Sequence, residues 1–141
     1  VNLVFALDEA LKMMRDEGLQ NIFHRHNKHK LALSNAIKSL NLKLFADEKY
    51  LSPSITAIET EEIDAEEFRN MIKNKFEILL AGGQDHLKGK IFRVGHLGYI
   101  NDRDIITIIS AISNVLLDLN KITSQQAGEA LLAASKYLKT N

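Results

Sequence analysis

The chain has no cysteine, a single proline and few aromatic residues among its 141 positions. Without cysteine there is no disulfide framework, no zinc–thiolate site and no thiol nucleophile, and nickel or an iron–sulfur cluster has no thiolate ligand. That composition fits a reducing compartment, and the expected location is cytoplasmic. An excess of one charge is also lacking: Lys+Arg and Asp+Glu both number 18, so the formal net charge is zero. No overall electrostatic grip on nucleic acid or anionic lipid follows from that balance, and neither is an expected partner. No apolar run approaches the ~20 residues of a membrane span. Asp8 and Glu9 interrupt the first apolar stretch, so it does not read as a signal peptide.

What is present suits one ordinary soluble domain, with 45% apolar and 26% charged residues. The chain starts at Val1, without methionine and already inside a helical pattern, and so reads as a piece of a longer protein. Residues 2–17 show helical spacing, with Leu3, Leu7, Ala10, Leu11 and Met14 on one stripe. Gly18 punctuates it. A second helix is expected from about Leu19 to Leu40, its stripe formed by Ile22, Phe23, His26, Leu33, Ile37 and Leu40. Asn41–Phe45 alternates like a short strand, and Ser54–Thr60 alternates again, with Ile55 and Ala57 expected inward. Asp64 followed by Glu67 signals a helix start, and that helix should run to about Asn74 with Phe68, Met71 and Ile72 inward.

Two short apolar strands come next, EILLAGG and KIFRV. Asn101 with Asp104 opens a strongly apolar helix carrying Ile105, Ile108, Ile109, Ile112, Leu116 and Leu119. Thr123 with Gln126 caps a last one bearing Ala127, Leu131, Ala134 and Leu138. Helices and strands mix without a repeating βαβ unit. The expected fold class is therefore α+β, a small and mostly antiparallel sheet covered by helices, in one domain over residues 1–141.

Three features carry chemistry. His24, His26 and His29 are close in sequence, but no further ligand pattern accompanies them, so a basic helix face with His26 near the core edge is the plainer reading and no metal is expected. The acidic run from Glu59 to Glu67 reads as a solvated turn plus the negative first turn of a helix. AGGQDHLKGK, residues 81–90, is glycine-rich without being a phosphate-binding pattern, and reads as a loop between strands that can border a site.

Arg93 in KIFRV is the sharpest feature. Alternation puts Phe92 and Val94 on one face of the strand and Ile91, Arg93 and Gly95 on the other. A guanidinium among apolar residues must reach water or meet an anion, because burying it unpaired is costly. Its planar fork suits a carboxylate. From the residues alone that carboxylate is either a ligand's or an internal one.

LAGGQDHLKGKIFRVGHLGYIN, with VNLVFALDEALKMMRDEGLQNIFHRH and SPSITAI, resembles the carboxy-terminal part of the class V aminotransferases. The branch is that of serine–pyruvate and alanine–glyoxylate aminotransferases, which includes proteins labelled as soluble hydrogenase subunits. The resemblance covers about residues 1–119, with residues 121–141 an extra carboxy-terminal helix. It implies the small domain of a type I fold whose full chain is a homodimer using pyridoxal 5′-phosphate. It also implies that the lysine carrying the cofactor lies before Val1, on a large domain joined through residues 1–40, so that this chain alone is inactive and holds no catalytic residue. By the same resemblance Arg93 binds the α-carboxylate of a small amino acid (serine or alanine) and of a 2-oxo acid acceptor, glyoxylate or pyruvate. Gly82, Gly83, Gln84 and Gly95 border the site. Asp85 stands where many relatives have glycine. A non-catalytic α+β interaction module, with the first two helices offering apolar surface to a partner, is the alternative.

Overall fold

The computed structural model describes residues 1–139. Two helices come first, α1 (Asn2–Glu17) and α2 (Leu19–Ser39). Gly18 separates them with a backbone φ of +83°, a conformation that only glycine adopts without strain. Strand β1 (Lys43–Leu44), a 3-10 turn at Glu48–Tyr50 and strand β2 (Ile55–Glu59) follow. Then come α3 (Ala65–Phe76), β3 (Ala81–Gly82), a 3-10 turn at Asp85–Leu87 and β4 (Ile91–Gly95). The chain closes with α4 (Asp102–Asp118) and α5 (Ser124–Leu138). Residues 140–141 of the expected last helix lie outside the described residues.

The caps read from the sequence are made. The Asp64 side chain accepts the N–H groups of Glu66 and Glu67 at the start of α3. Asn101 with Asp104, and Thr123 with Gln126, each form a reciprocal capping box. Each such cap satisfies donors that the first helical turn leaves without an internal acceptor.

The four strands form one sheet in the order β1-β2-β4-β3, with every neighbouring pair antiparallel. The helices cover a single face of it. Phe92 and Val94 of β4 point into that layer with Ile58 and Thr56 of β2 and Leu44 of β1, all buried. They meet Phe68 and Ile72 of α3 and the Ile105, Ile109, Ile112 stripe of α4 in one apolar cluster. Phe68 and Phe92 stack at 5.1 Å between ring centroids. α5 lies along α2 and adds Ala130 and Ala134 to the same cluster.

Three expectations are corrected. On β2 the inward residues are Thr56 and Ile58, not Ile55 and Ala57. Antiparallel pairing sets Thr56 opposite Val94 and Ile58 opposite Phe92, so the partner strand decides the parity. The strand expected over residues 77–83 shrinks to Ala81–Gly82, because α3 runs on to Phe76 and Glu77 ends it in a left-handed conformation, φ +58°. On α2 the expected Leu33, Ile37 and Leu40 are buried, but His29 joins them and Phe23 is exposed, while His26 lies half-buried at the core edge. α1 buries none of its residues, so the stripe from Leu3 to Met14 faces solvent, as expected of a helix that offers apolar surface to a partner.

Candidate functional site

The sheet face away from the helices carries Ala57, Arg93 and Gly95. Arg93 lies in the middle of β4, opposite Ala57 on β2 and opposite Ala81 on β3. Two alanines on its flanks, and Gly95 two residues along its own strand, leave the side chain laterally uncrowded. Arg93 is half-buried. Its Nε donates to the Gly82 carbonyl at 3.0 Å. Among the described residues no carboxylate pairs with it, so the internal ion pair that the sequence left open is not formed. Among the described residues no hydrogen bond engages the terminal nitrogens of the fork, a geometry that suits a carboxylate bidentately.

The glycine loop is built around this arginine. The carbonyl of Gly82 orients the Arg93 side chain, while its α-carbon faces the Arg69 and Glu66 side chains of α3. A β-carbon there would sit 2.5 Å from both Arg69 Nη1 and Glu66 Oε1. At Gly83 a β-carbon would collide with the Leu87 carbonyl, so only glycine lets the 3-10 turn fold back over β4. That turn, with Leu87, shields Ile91 on the otherwise open face. Asp85 takes φ +48°, the left-handed conformation that glycine favours. Aspartate is among the few other residues that tolerate it, so the loop keeps its path without the glycine. Gln84 is exposed, and its carbonyl accepts the Leu87 N–H at 2.9 Å.

Several buried polar residues, His96 among them unremarked in the sequence, form the scaffold next to β4. His96 is fully buried, and its Nε2 lies 2.9 Å from Thr56 Oγ1. Burial, reinforced by the nearby His29, pushes its pKa down to about 4. Extending the alternation of Phe92 and Val94 by two residues would have placed His96 inward. His29, also fully buried, sits 2.8 Å from Asp102 Oδ1 at the start of α4, and Lys28 Nζ meets the other carboxylate oxygen at 3.0 Å. Burial lowers the pKa of His29 against the opposing pull of Asp102. Burial alone would raise the pKa of Asp102, but the hydrogen bonds from His29 and Lys28 outweigh it and hold the carboxyl below its usual range. His24, His26 and His29 do not converge: His24 is exposed, and His26 Nδ1 bonds the Ile22 carbonyl within its own helix at 2.8 Å.

Arg25 of α2 was also missed. Its Nε and Nη2 bind the Glu17 carboxylate at 2.6 and 2.8 Å. Its Nη1 donates to the carbonyls of Gly98 and Ile100, both at 2.9 Å, in the segment leaving β4. Nothing in the local sequence signals these contacts, which span more than 70 residues.

No protein-family model matches the chain. Among curated proteins it is 49% identical over 140 residues to the soluble hydrogenase small subunit of Synechococcus sp. (strain PCC 6716), covering 99% of this chain and 36% of that protein. It is 35% identical over 134 residues to (S)-ureidoglycine–glyoxylate transaminase of Bacillus subtilis (strain 168), covering 94% of this chain and 32% of that one. The crystal structure of ureidoglycine–glyoxylate aminotransferase from Bacillus subtilis superimposes with a TM-score of 0.88 at 34% identity, over 96% of this chain and 35% of that chain. The chain thus spans about a third of the length of the relatives it matches. A four-stranded antiparallel sheet with helices on one face, matched in this way, is a portion of the type I pyridoxal-phosphate aminotransferase fold. More narrowly, the chain belongs to the class V aminotransferases and corresponds to their carboxy-terminal part. The similarity to the Synechococcus protein runs through α5, beyond the residues 1–119 expected from the motifs.

Proposed function

We propose that the protein carrying this chain is a pyridoxal-phosphate-dependent aminotransferase that moves an amino group from a small amino acid, serine or alanine, to glyoxylate or pyruvate. Arg93 grips the α-carboxylate. The observation that carries this reading is a half-buried arginine on an open sheet face, with its Nε tied to the Gly82 carbonyl and no carboxylate among the described residues paired with it. Family membership supports the reaction class, since relatives are named for transamination with glyoxylate.

The amino acid and the oxo acid share one handle, the α-carboxylate. A fixed and always-charged fork holds that handle in one orientation, and positioning of this kind lowers a reaction barrier by several kcal/mol in general. Bound pyridoxal phosphate supplies the electron sink for the amino-group exchange. Arg93 has the donor geometry for the substrate's carboxylate, while the cofactor itself is held by residues outside this chain. Ala57, Ala81 and Gly95 keep the approach to the guanidinium clear. Gly82 and Gly83 let the loop before β4 lie close to it. The working protein is a cytoplasmic homodimer, and this chain by itself is inactive for want of the cofactor-bearing lysine.

The test is Arg93→Ala in the protein that carries this chain. The KM for the amino acid should rise sharply while bound cofactor, read from its visible absorbance, stays in place. An unchanged KM would sink the assignment. The uncovered apolar stripe of α1 favours a second reading, a non-catalytic interaction module. Cofactor absorbance without any measurable transamination would point to it.

A further inference from the structure

We infer that the Glu66–Arg69 ion pair of α3 is a positioning element for Arg93, acting through Leu80 and Gly82. The inference rests on the reading of Arg93 as the carboxylate-binding group.

β3 is an edge strand of only two residues, Ala81–Gly82. So short a strand is poorly held by its ladder alone, yet its Gly82 carbonyl is the hydrogen-bond acceptor that orients Arg93. α3 supplies the missing support. Arg69 donates its Nε to the Leu80 carbonyl at 2.8 Å and its Nη1 to Glu66 Oε2 at 2.7 Å. The first bond holds the chain immediately before β3. The second fixes the Arg69 fork, so that the ion pair lies flat against the Gly82 α-carbon, with no room for a β-carbon between them. Gly82 is therefore pinned from the helix side by Arg69 and Glu66, and from its own carbonyl it holds Arg93 Nε at 3.0 Å. A guanidinium is planar, so fixing the direction of its Nε–H fixes where its two terminal NH2 groups aim.

The two arginines thus divide the work. Arg69 spends its donors on the chain's own carbonyl and carboxylate; Arg93 spends one on a carbonyl and keeps its fork. Nothing places Arg69 in contact with substrate. Its effect on substrate passes through the backbone of β3.

The experiment uses the protein that carries this chain, with Arg69→Lys and Gly82→Ala made singly and each combined with Arg93→Ala. Lysine keeps the charge but cannot serve Leu80 and Glu66 with one rigid fork; alanine at position 82 forces the ion pair away. The dissociation constant of propionate, a carboxylate without an amino group, is measured by calorimetry beside KM and kcat for the amino acid. Each single variant should weaken propionate and raise KM about tenfold, as expected for a displaced binding group. The value of kcat should change much less. In the Arg93→Ala background neither substitution should weaken propionate further. If Arg93→Ala weakens propionate but Arg69→Lys and Gly82→Ala do not, the positioning role is overturned and the reading of Arg93 stands. Additive losses in the double variants overturn it too, because they show an effect that bypasses Arg93. If Arg93→Ala leaves propionate binding intact, the carboxylate reading itself fails and takes the inference with it.

Discussion

The two faces of the sheet are built from the same strands by opposite rules. Toward the helices, Thr56, Ile58, Phe92 and Val94 are buried among Phe68, Ile72 and the isoleucines of α4. Toward the open side, the same two strands offer Ala57, Arg93 and Gly95, small residues around one cation. One face is filled to exclude water and is intolerant of change. On the other, Arg93 stands between the small residues Ala57, Ala81 and Gly95 and is held by a carbonyl rather than by packing. The packed core and the proposed carboxylate-binding residue are thereby separated by a single residue step along β4.

That separation can be broken deliberately. Phe92→Ala empties a fully buried position next to Phe68 and should cost about 3–5 kcal/mol, measured as a fall in the urea midpoint. A loss below ~1 kcal/mol would mean that the inner face is not close-packed. Acid should act on the same face next in size. His96 has its pKa pushed down to about 4 in the folded chain, against about 6.5 when unfolded. The unfolded state therefore binds the proton more readily between those values. The stability contributed by neutral His96 is complete above about pH 6.5 and falls away as the pH drops toward 4, by up to about 3 kcal/mol. Buried His29, shifted in the same direction, adds to the effect. His96→Gln should flatten the pH profile of the unfolding midpoint; an unchanged slope would remove His96 as the cause. The smallest effect is expected on the open face. Arg93→Gln should change stability by about 1 kcal/mol or less, since it gives up one hydrogen bond to a carbonyl at the sheet edge. A large drop in the thermal midpoint would show that Arg93 belongs to the scaffold.

Local signals in the sequence carried far. The caps at Asp64, Asn101 and Thr123 depend on residues within one turn, and all three are made. The assignment of Phe92 and Val94 to one face and Arg93 to the other needed only strand periodicity. What escaped depends on contacts distant in sequence. The parity of β2 was misread because Ile55 and Ala57 are as apolar as Thr56 and Ile58, and only pairing with β4 decides between them. β3 was expected longer because Ile78, Leu79 and Leu80 look like strand; in fact Leu79 is exposed and the Leu80 carbonyl is taken by Arg69. The α1 stripe was legible as amphipathic, but a stripe does not say what covers it. Arg93 stood out because a guanidinium is costly among apolar neighbours. Arg69 and Arg25 did not stand out, since charged residues on helices are ordinary until their partners are seen.

α2 has 21 residues, which makes it a rod about 30 Å long. Its carboxy-terminal half, from His29 to Ile37, is embedded in the core, while its amino-terminal half stands clear and carries Arg25. That arginine ties Glu17 at the end of α1 to the carbonyls of Gly98 and Ile100, just past the strand that holds Arg93. The rod is thus embedded in the core at one end, and at the other Arg25 joins the end of α1 to the segment that leaves β4. A small tilt of α1 about the Gly18 joint would arrive, through Arg25, as tension on the segment that leaves β4.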